Sequence, residues 1–203
     1  MVICLTVVNT LLLVLTYSHL QQIALKYGFI AQDPHFRTAF TSMFLHGGFW
    51  HLIGNMFFLW MFGGQAENRL GAVRFLLLYL ACGLAGSGLH YLIDPTSKVP
   101  VIGASGAISG IVGAYYVFFP RARFDLDIYL GWWHITTIPT NTPAAVGAWF
   151  LEQFILGLIT HAIGSSSVAF WAHVGGFLFG IGAAGILRLS FPDRSTYEPY
   201  GNF

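Results

Sequence analysis

The chain has 203 residues, 56% of them hydrophobic and only 8% charged, with a net charge of +1 and a mean hydropathy of +0.67. Soluble domains usually carry about 25% charged residues, so this chain cannot clothe itself in a water-compatible surface and reads as an integral membrane protein in a lipid bilayer. The small net charge and the lack of any long basic stretch exclude a nucleic-acid partner.

The first apolar run, 2–15, has no basic leader and continues into Thr16-Tyr17-Ser18-His19, not into a small-residue cleavage site. No cleavable signal peptide is expected; the run reads as the first half of a span that extends to Leu25. Five further spans are predicted at about 51–70, 73–93, 104–119, 144–163 and 168–189, each approaching the roughly 20 helical residues that cross hydrocarbon. Asp33-Pro34, Gly71, Asp94-Pro95, Pro120, Pro139, Pro143, Gly164-Ser165-Ser166-Ser167 and Pro192 punctuate them. The expected fold is an all-α integral membrane protein, a six-transmembrane-helix bundle forming one domain over 1–203. Span one occupies 1–25, an outer loop 26–50, spans two to six 51–189, and a cytoplasmic tail 190–203. Cys4 and Cys82 lie inside apolar segments and read as small core residues. The stretch 124–143, with Trp132-Trp133, reads as an interfacial segment anchored by aromatics.

The basic residues set an orientation. Arg69, Arg74, Arg121, Arg123, Arg188 and Arg194 fall on one side of the predicted membrane, and Lys26, Arg37 and Lys98 on the other. By the positive-inside rule the first side, with both termini, is cytoplasmic, and the membrane expected is the cell (inner) membrane. Spans two, four and six then all enter from the outer face. That brings His51 and Asn55, Ser105, and His173 to a common depth near the outer leaflet, although they come from three distant stretches of sequence.

Polar groups kept in hydrocarbon usually line a site or a water-filled cavity. A serine needs an adjacent base to act as a nucleophile, and His173 is the histidine of span six at matching depth. Gly106 and Gly110 form a small-xxx-small ridge on span four, and Gly176 and Gly180 form another on span six, so the two backbones can approach closely. Oxyanion donors are on offer from the amide groups at the start of span four and from His51 and Asn55, four apart on one helix face. No Asp or Glu lies at this depth, so a two-residue Ser105–His173 dyad is expected. Each piece alone also fits a bland role: packing for the serine, a hydrogen-bonded core position for His173, a helix cap for His51 and Asn55. The Gly-x-Ser-Gly string is not the soluble-hydrolase elbow, which needs glycine where Ala107 stands. No His-Glu-x-x-His zinc motif occurs, and no metal or other cofactor is expected.

These residues resemble the rhomboid family of intramembrane serine proteases. His46-Gly47-Gly48-Phe49-Trp50-His51-Leu52-Ile53-Gly54-Asn55-Met56 is similar to the family's His-x-x-x-Asn signature, and Gly103-Ala104-Ser105-Gly106 to its Gly-x-Ser-Gly. Ala172-His173-Val174-Gly175-Gly176-Phe177-Leu178-Phe179-Gly180 is similar to its last-span motif, and Glu67-Asn68-Arg69-Leu70-Gly71 to its Glu-x-Arg element. The resemblance covers 36–180 in the right order. It implies the six-helix core, Ser105 as nucleophile, His173 as general base and acid, and His51 and Asn55 as oxyanion donors. It also implies single-span membrane proteins as substrates, cut in or near a transmembrane helix, and an outer loop over 26–45 half-embedded beside the core. Two departures stand out. Phe36-Arg37 replaces a frequent Trp-Arg pair, and Ser109 stands where relatives often carry an aromatic that packs on the histidine. Tyr115 or Trp171 is the expected substitute support for His173.

Glu152 falls in the middle of span five and is expected near the interior or at a gate between spans two and five. Span five and the loop 164–167 are the expected moving parts. Glu67 and Arg69 are expected to hold loops together, and His46 to bind water near the site. His19, His35, His90, His134 and His161 take no assigned role. The rival reading is a catalytically weak or inactive rhomboid-like binder of membrane proteins. A transporter is disfavoured by the lack of inverted repeats and broken helices.

Overall fold

The computed structural model describes residues 1–163 and 168–190. The expected outer loop 164–167 and the expected tail beyond residue 190 lie outside the described residues. In hydrocarbon every backbone polar group must be satisfied internally, and the apolar runs accordingly fold into helices. α1 (Val2–Thr16) and α2 (Leu20–Tyr27) join through a single 3-10 turn, and α3 (Phe36–Ser42) lies in the following loop. α4 (Phe49–Phe58) continues through a π-helical turn, Leu59–Gly63, into α5 (Gly64–Leu70). The run ends at Gly71, whose φ of +77° lets the chain turn into α6 (Ala72–Ile93). Then come α7 (Ser105–Phe118), the strands β1 (Arg123–Leu130) and β2 (Trp133–Asn141), α8 (Thr142–Ala162) and α9 (Phe170–Ser190).

Among the described residues, four helical runs are long and apolar enough to cross a membrane: Val2–Tyr27, Ala72–Ile93, Thr142–Ala162 and Phe170–Ser190. The predicted span at 104–119 is instead a 14-residue α7, about 21 Å long at helical rise. Its surroundings account for this: every residue from position 106 to 115 is buried. α7 is sheathed by other helices and need not match the thickness of the hydrocarbon itself.

The all-α expectation needs one correction. Residues 123–141 form an antiparallel hairpin, with Arg123 opposite Asn141 and Leu130 opposite Trp133. The sequence explains it: 123–130 alternates polar with apolar residues, and Gly131 turns the chain at φ +61°.

α6, α7 and α9 form the centre of the bundle, and they touch backbone to backbone. A β-carbon on Gly176 would overlap the carbonyl oxygen of Gly106, and one on Gly180 that of Gly110. The two ridges read from the sequence therefore face each other across one interface. Gly86 on α6 fits against the Ala172 carbonyl in the same way. The α7–α9 seam has no room for a methyl group, and it fixes the axial register of the two helices.

Arg69 and Arg188 stand at one end of this core. Arg69 lies over the Phe118 ring, 4.8 Å from its centroid, and Arg188 donates to the Val117 carbonyl at 2.9 Å. At the other end, Phe29 and Val101 form an isolated antiparallel bridge. Glu67 accepts the Val2 amide at 2.8 Å, tying α5 to the start of α1. Replacing Gly180 with alanine is expected to lower the stability of the detergent-purified protein by about 1–3 kcal/mol, the usual range for overpacking. Gly182→Ala, where the added carbon meets nothing within 4 Å, should leave the thermal unfolding midpoint unchanged.

Candidate active site

Ser105 opens α7, so the segment before it sets its position. The Gly103 amide donates to the Ser42 carbonyl at 2.9 Å, and Val101 exchanges bonds with Phe29 at 2.8 and 2.9 Å. Gly103 itself has φ +130°, a conformation that only glycine takes without strain. The first helical bond of α7 runs from Ile108 N–H to the Ala104 carbonyl. The amides of Ser105, Gly106 and Ala107 thus belong to the turn that a helix leaves without intrahelical partners.

His173 lies in the first turn of α9. Its Nε2 is 2.7 Å from Ser105 Oγ, a bond made possible by the α7–α9 seam one turn further along. Its Nδ1 is 2.7 Å from Gln153 Oε1 on α8. An amide oxygen can only accept, so Nδ1 carries the proton. The lone pair of Nε2 is left to face the serine hydroxyl, which donates to it. Three helices thus contribute one side chain each to a single hydrogen-bonded line: Ser105, His173, Gln153.

Gln153 is the residue that sequence reasoning missed. Attention fell on its neighbour Glu152 because an ionisable group in mid-span is conspicuous. Glu152 is exposed on the flank of α8 and not in the interior, whereas Gln153 is 8% exposed. The signal available was spacing: Val146, Trp149, Gln153 and Gly157 recur on one face of α8, which makes Gln153 inward-facing.

The expected supports for the histidine ring are also corrected. Tyr115 packs at the far end against Phe62 and Phe119 and bonds Gln65. Trp171 meets Phe154. The aromatic beside His173 is Phe170, edge-on at 6.1 Å. Ser109 turns its hydroxyl back to the Ser105 carbonyl at 2.6 Å, as a buried serine in a helix commonly does.

His51 and Asn55 sit on α4 across the cavity. The Gly47 amide donates to His51 Nδ1 at 3.3 Å, which leaves the proton on Nε2, the nitrogen nearest Gly103. Asn55 is 7% exposed and spends one amide hydrogen on the His51 carbonyl at 3.1 Å, keeping its second available. All four residues singled out from the sequence (His51, Asn55, Ser105 and His173) line one cavity of about 620 Å³, together with Gln153 and His90. No Asp or Glu lines it among the described residues. His46 lies buried behind His51, ring centroids 5.2 Å apart.

Chemically, the arrangement offers a hydroxyl beside an unprotonated imidazole nitrogen, with three kinds of N–H donor around it: helix amides, an imidazole and a carboxamide. That is what acyl transfer needs.

Comparison with known proteins identifies the family. Residues 33–190 match the family model described as Rhomboid domain. The chain is 34% identical over 162 residues to Rhomboid protease GluP of Bacillus subtilis, covering 79% of this chain and 27% of that protein. It is 32% identical over 146 residues to Rhomboid protein 1, mitochondrial, of Saccharomyces cerevisiae, covering 69% and 38%. It is 33% identical over 163 residues to RHOMBOID-like protein 6, mitochondrial, of Arabidopsis thaliana, covering 80% and 46%. The chain thus spans less than half the length of these three relatives.

A β-carbon at Gly103 would stand 2.8 Å from His51 Nε2. Gly103→Ala is therefore expected to cost about 1–3 kcal/mol through its strained φ, read as a lower thermal midpoint. Gly88→Ala, with open space at the added carbon, is the unaffected reference.

Proposed function

The chain belongs to the rhomboid family, and from that membership we propose that it is an intramembrane serine endopeptidase. The observation that carries the reading is the hydrogen-bonded line from Ser105 through His173 to Gln153, set in a cavity of a membrane protein. Ser105 Oγ attacks a substrate carbonyl while its proton passes to His173 Nε2. The oxyanion takes hydrogen bonds from His51 Nε2–H, the free Asn55 amide hydrogen and the first amides of α7. His173 then protonates the leaving amine as the C–N bond breaks, leaving an acyl-enzyme. Water attacks the ester, gives its proton to His173, and the serine is regenerated. Gln153 acts as a positioning residue that holds the imidazole in the tautomer this cycle starts from.

The substrates proposed are single-span membrane proteins, cleaved in or near a transmembrane helix that has locally unwound, because a helical amide is shielded from attack. We place six spans in the bilayer, counting the interrupted run from α4 to α5 and the sheathed α7. Both termini lie on the arginine side, cytoplasmic in a cell inner membrane by the positive-inside rule. Ser105 opens α7 at the opposite end, so cleavage falls in or near the outer leaflet.

A fluorophosphonate probe applied to the purified protein tests this directly. Labelling of the native chain, lost in Ser105→Ala and His173→Ala, is expected. A native chain that resists the probe and leaves membrane-protein substrates uncut in liposomes is a binder and not a protease. With a cleavable substrate, Asn55→Ala is expected to lower kcat by about 10²–10³, as removal of an oxyanion donor does elsewhere. Gln153→Ala should slow labelling about fivefold, the worth of one neutral hydrogen bond of about 1 kcal/mol, while Glu152→Gln leaves it unchanged.

A further inference from the structure

The hairpin between α7 and α8 is the largest feature the proposed chemistry does not use. Its register sorts the side chains by character. Directly paired residues share a face, so Phe124, Ile128, Leu130, Trp133 and Ile138 lie on one side, with Thr136 and Thr140 between them. Arg123, Asp125, Asp127, Thr137 and His134 lie on the other. The break in register after Ile128, which leaves Ile135 unpaired, is what returns Trp133 to the apolar side. On the polar side Thr137 donates to Asp127 at 2.6 Å and His134 contacts both. The Thr137 hydroxyl, aided by His134, holds the Asp127 carboxyl below the usual carboxylate range, so this face stays charged.

The apolar face is bare over most of its length. Leu130 is 75% exposed, Trp133 77%, and Trp132 at the tip 98%. A two-stranded hairpin alone is marginal in water, so a third body is required along this face. The roots of the hairpin show where that body is. Phe124, at the start of the apolar face, packs against Phe62 and Tyr115 inside the bundle. Thr142, first residue of α8, donates its hydroxyl to the Phe119 carbonyl at 2.7 Å and its amide to the Ala122 carbonyl at 3.0 Å. Asn141 caps α8 through the Ala144 amide at 3.0 Å. The hairpin is thus fastened where α7 ends and α8 begins. Its apolar face is continuous with the hydrophobic interior, and the exposed Arg121 and Arg123 stand at its base.

We infer that the hairpin is a membrane-surface element whose apolar face and Trp132-Trp133 tip are immersed in the leaflet on the arginine side, with an anionic lipid surface as its partner. Trp and Tyr favour this interface, and the base arginines attract anionic headgroups. The polar face, with its aspartates, turns to water. This reading depends on the hairpin's register and its position at the bilayer, and not on catalysis.

The test uses the full chain in phosphatidylcholine vesicles containing phosphatidylglycerol. Nitroxide labels are placed through Ile128→Cys, Ile138→Cys or Asp125→Cys, each with Cys4→Ser. At Ile128 and Ile138, collisions with oxygen are expected to exceed those with a water-soluble nickel chelate severalfold, and at Asp125 the order should reverse. Free nickel access on both faces would put the hairpin in water and overturn the inference. Low access to both reagents at Ile128 would mean a protein covers the face, and overturns it too. The unlabelled protein gives an independent reading. Brominated lipids should quench native tryptophan emission more strongly than that of the Trp132→Phe/Trp133→Phe variant, and equal quenching rejects lipid contact. Probe labelling at Ser105 reports separately on the protease reading and is expected to survive these substitutions.

Discussion

The bond between Ser105 and His173 depends on the contact between α7 and α9. A serine side chain is short, and it meets an imidazole from another helix only if the two backbones nearly touch. Glycines at 106, 110, 176 and 180 supply that closeness. In a bilayer no hydrophobic gain drives helices together, because lipid is as apolar as leucine, and association rests on packing and interhelical bonds. The seam is therefore both the fold's main adhesive and the ruler that sets the distance between Ser105 and His173. α7 can be short and fully enclosed for the same reason: its neighbours, not lipid, are its surroundings.

The site is built from neutral groups. A carboxylate behind the histidine would have to be kept ionised inside a membrane protein, where removing a charge from water costs several kcal/mol. A carboxamide oxygen selects the same tautomer at a far smaller desolvation cost. The same economy shows across the cavity, where Gly47 fixes the His51 tautomer through a backbone amide and the His51 carbonyl steadies Asn55. Preorganisation here comes from dipoles whose orientation is imposed by helices.

Much of this was legible in the sequence. The hydropathy runs located the helices to within a few residues, and the small-residue ridges identified the seam before any coordinates did. That His51, Asn55, Ser105 and His173 line one cavity accords with the order of the helices in the chain. What escaped had physical reasons. Gln153 is uncharged and stood beside a charged neighbour, so only the facing of α8 could have distinguished it. Support for the His173 ring was sought in Tyr115 and Trp171, because aromatic character is readable and rotational position around a helix is not. The hairpin carries a strand alternation over 123–130 and a turn glycine at 131, but its two tryptophans dominate the stretch and point first to an aromatic interfacial segment. The π turn between α4 and α5 left no recognisable mark either.

The third member of the hydrogen-bonded line has a different footing from the other two. Beyond its hydrogen-bonded root at Thr142, α8 meets its neighbours largely through rings: Trp149 near Phe58, Phe150 stacked on Phe177, Phe154 edge-on to Trp171. Ring pairs prefer particular geometries but keep the helix backbones apart, whereas a glycine seated on a carbonyl brings them into contact. The Ser105–His173 pair is thus set by a backbone contact that admits no methyl group, while Gln153 is placed by ring packing and by the root of α8. The tautomer of His173 is therefore set from a different helix than the one that carries the serine it faces.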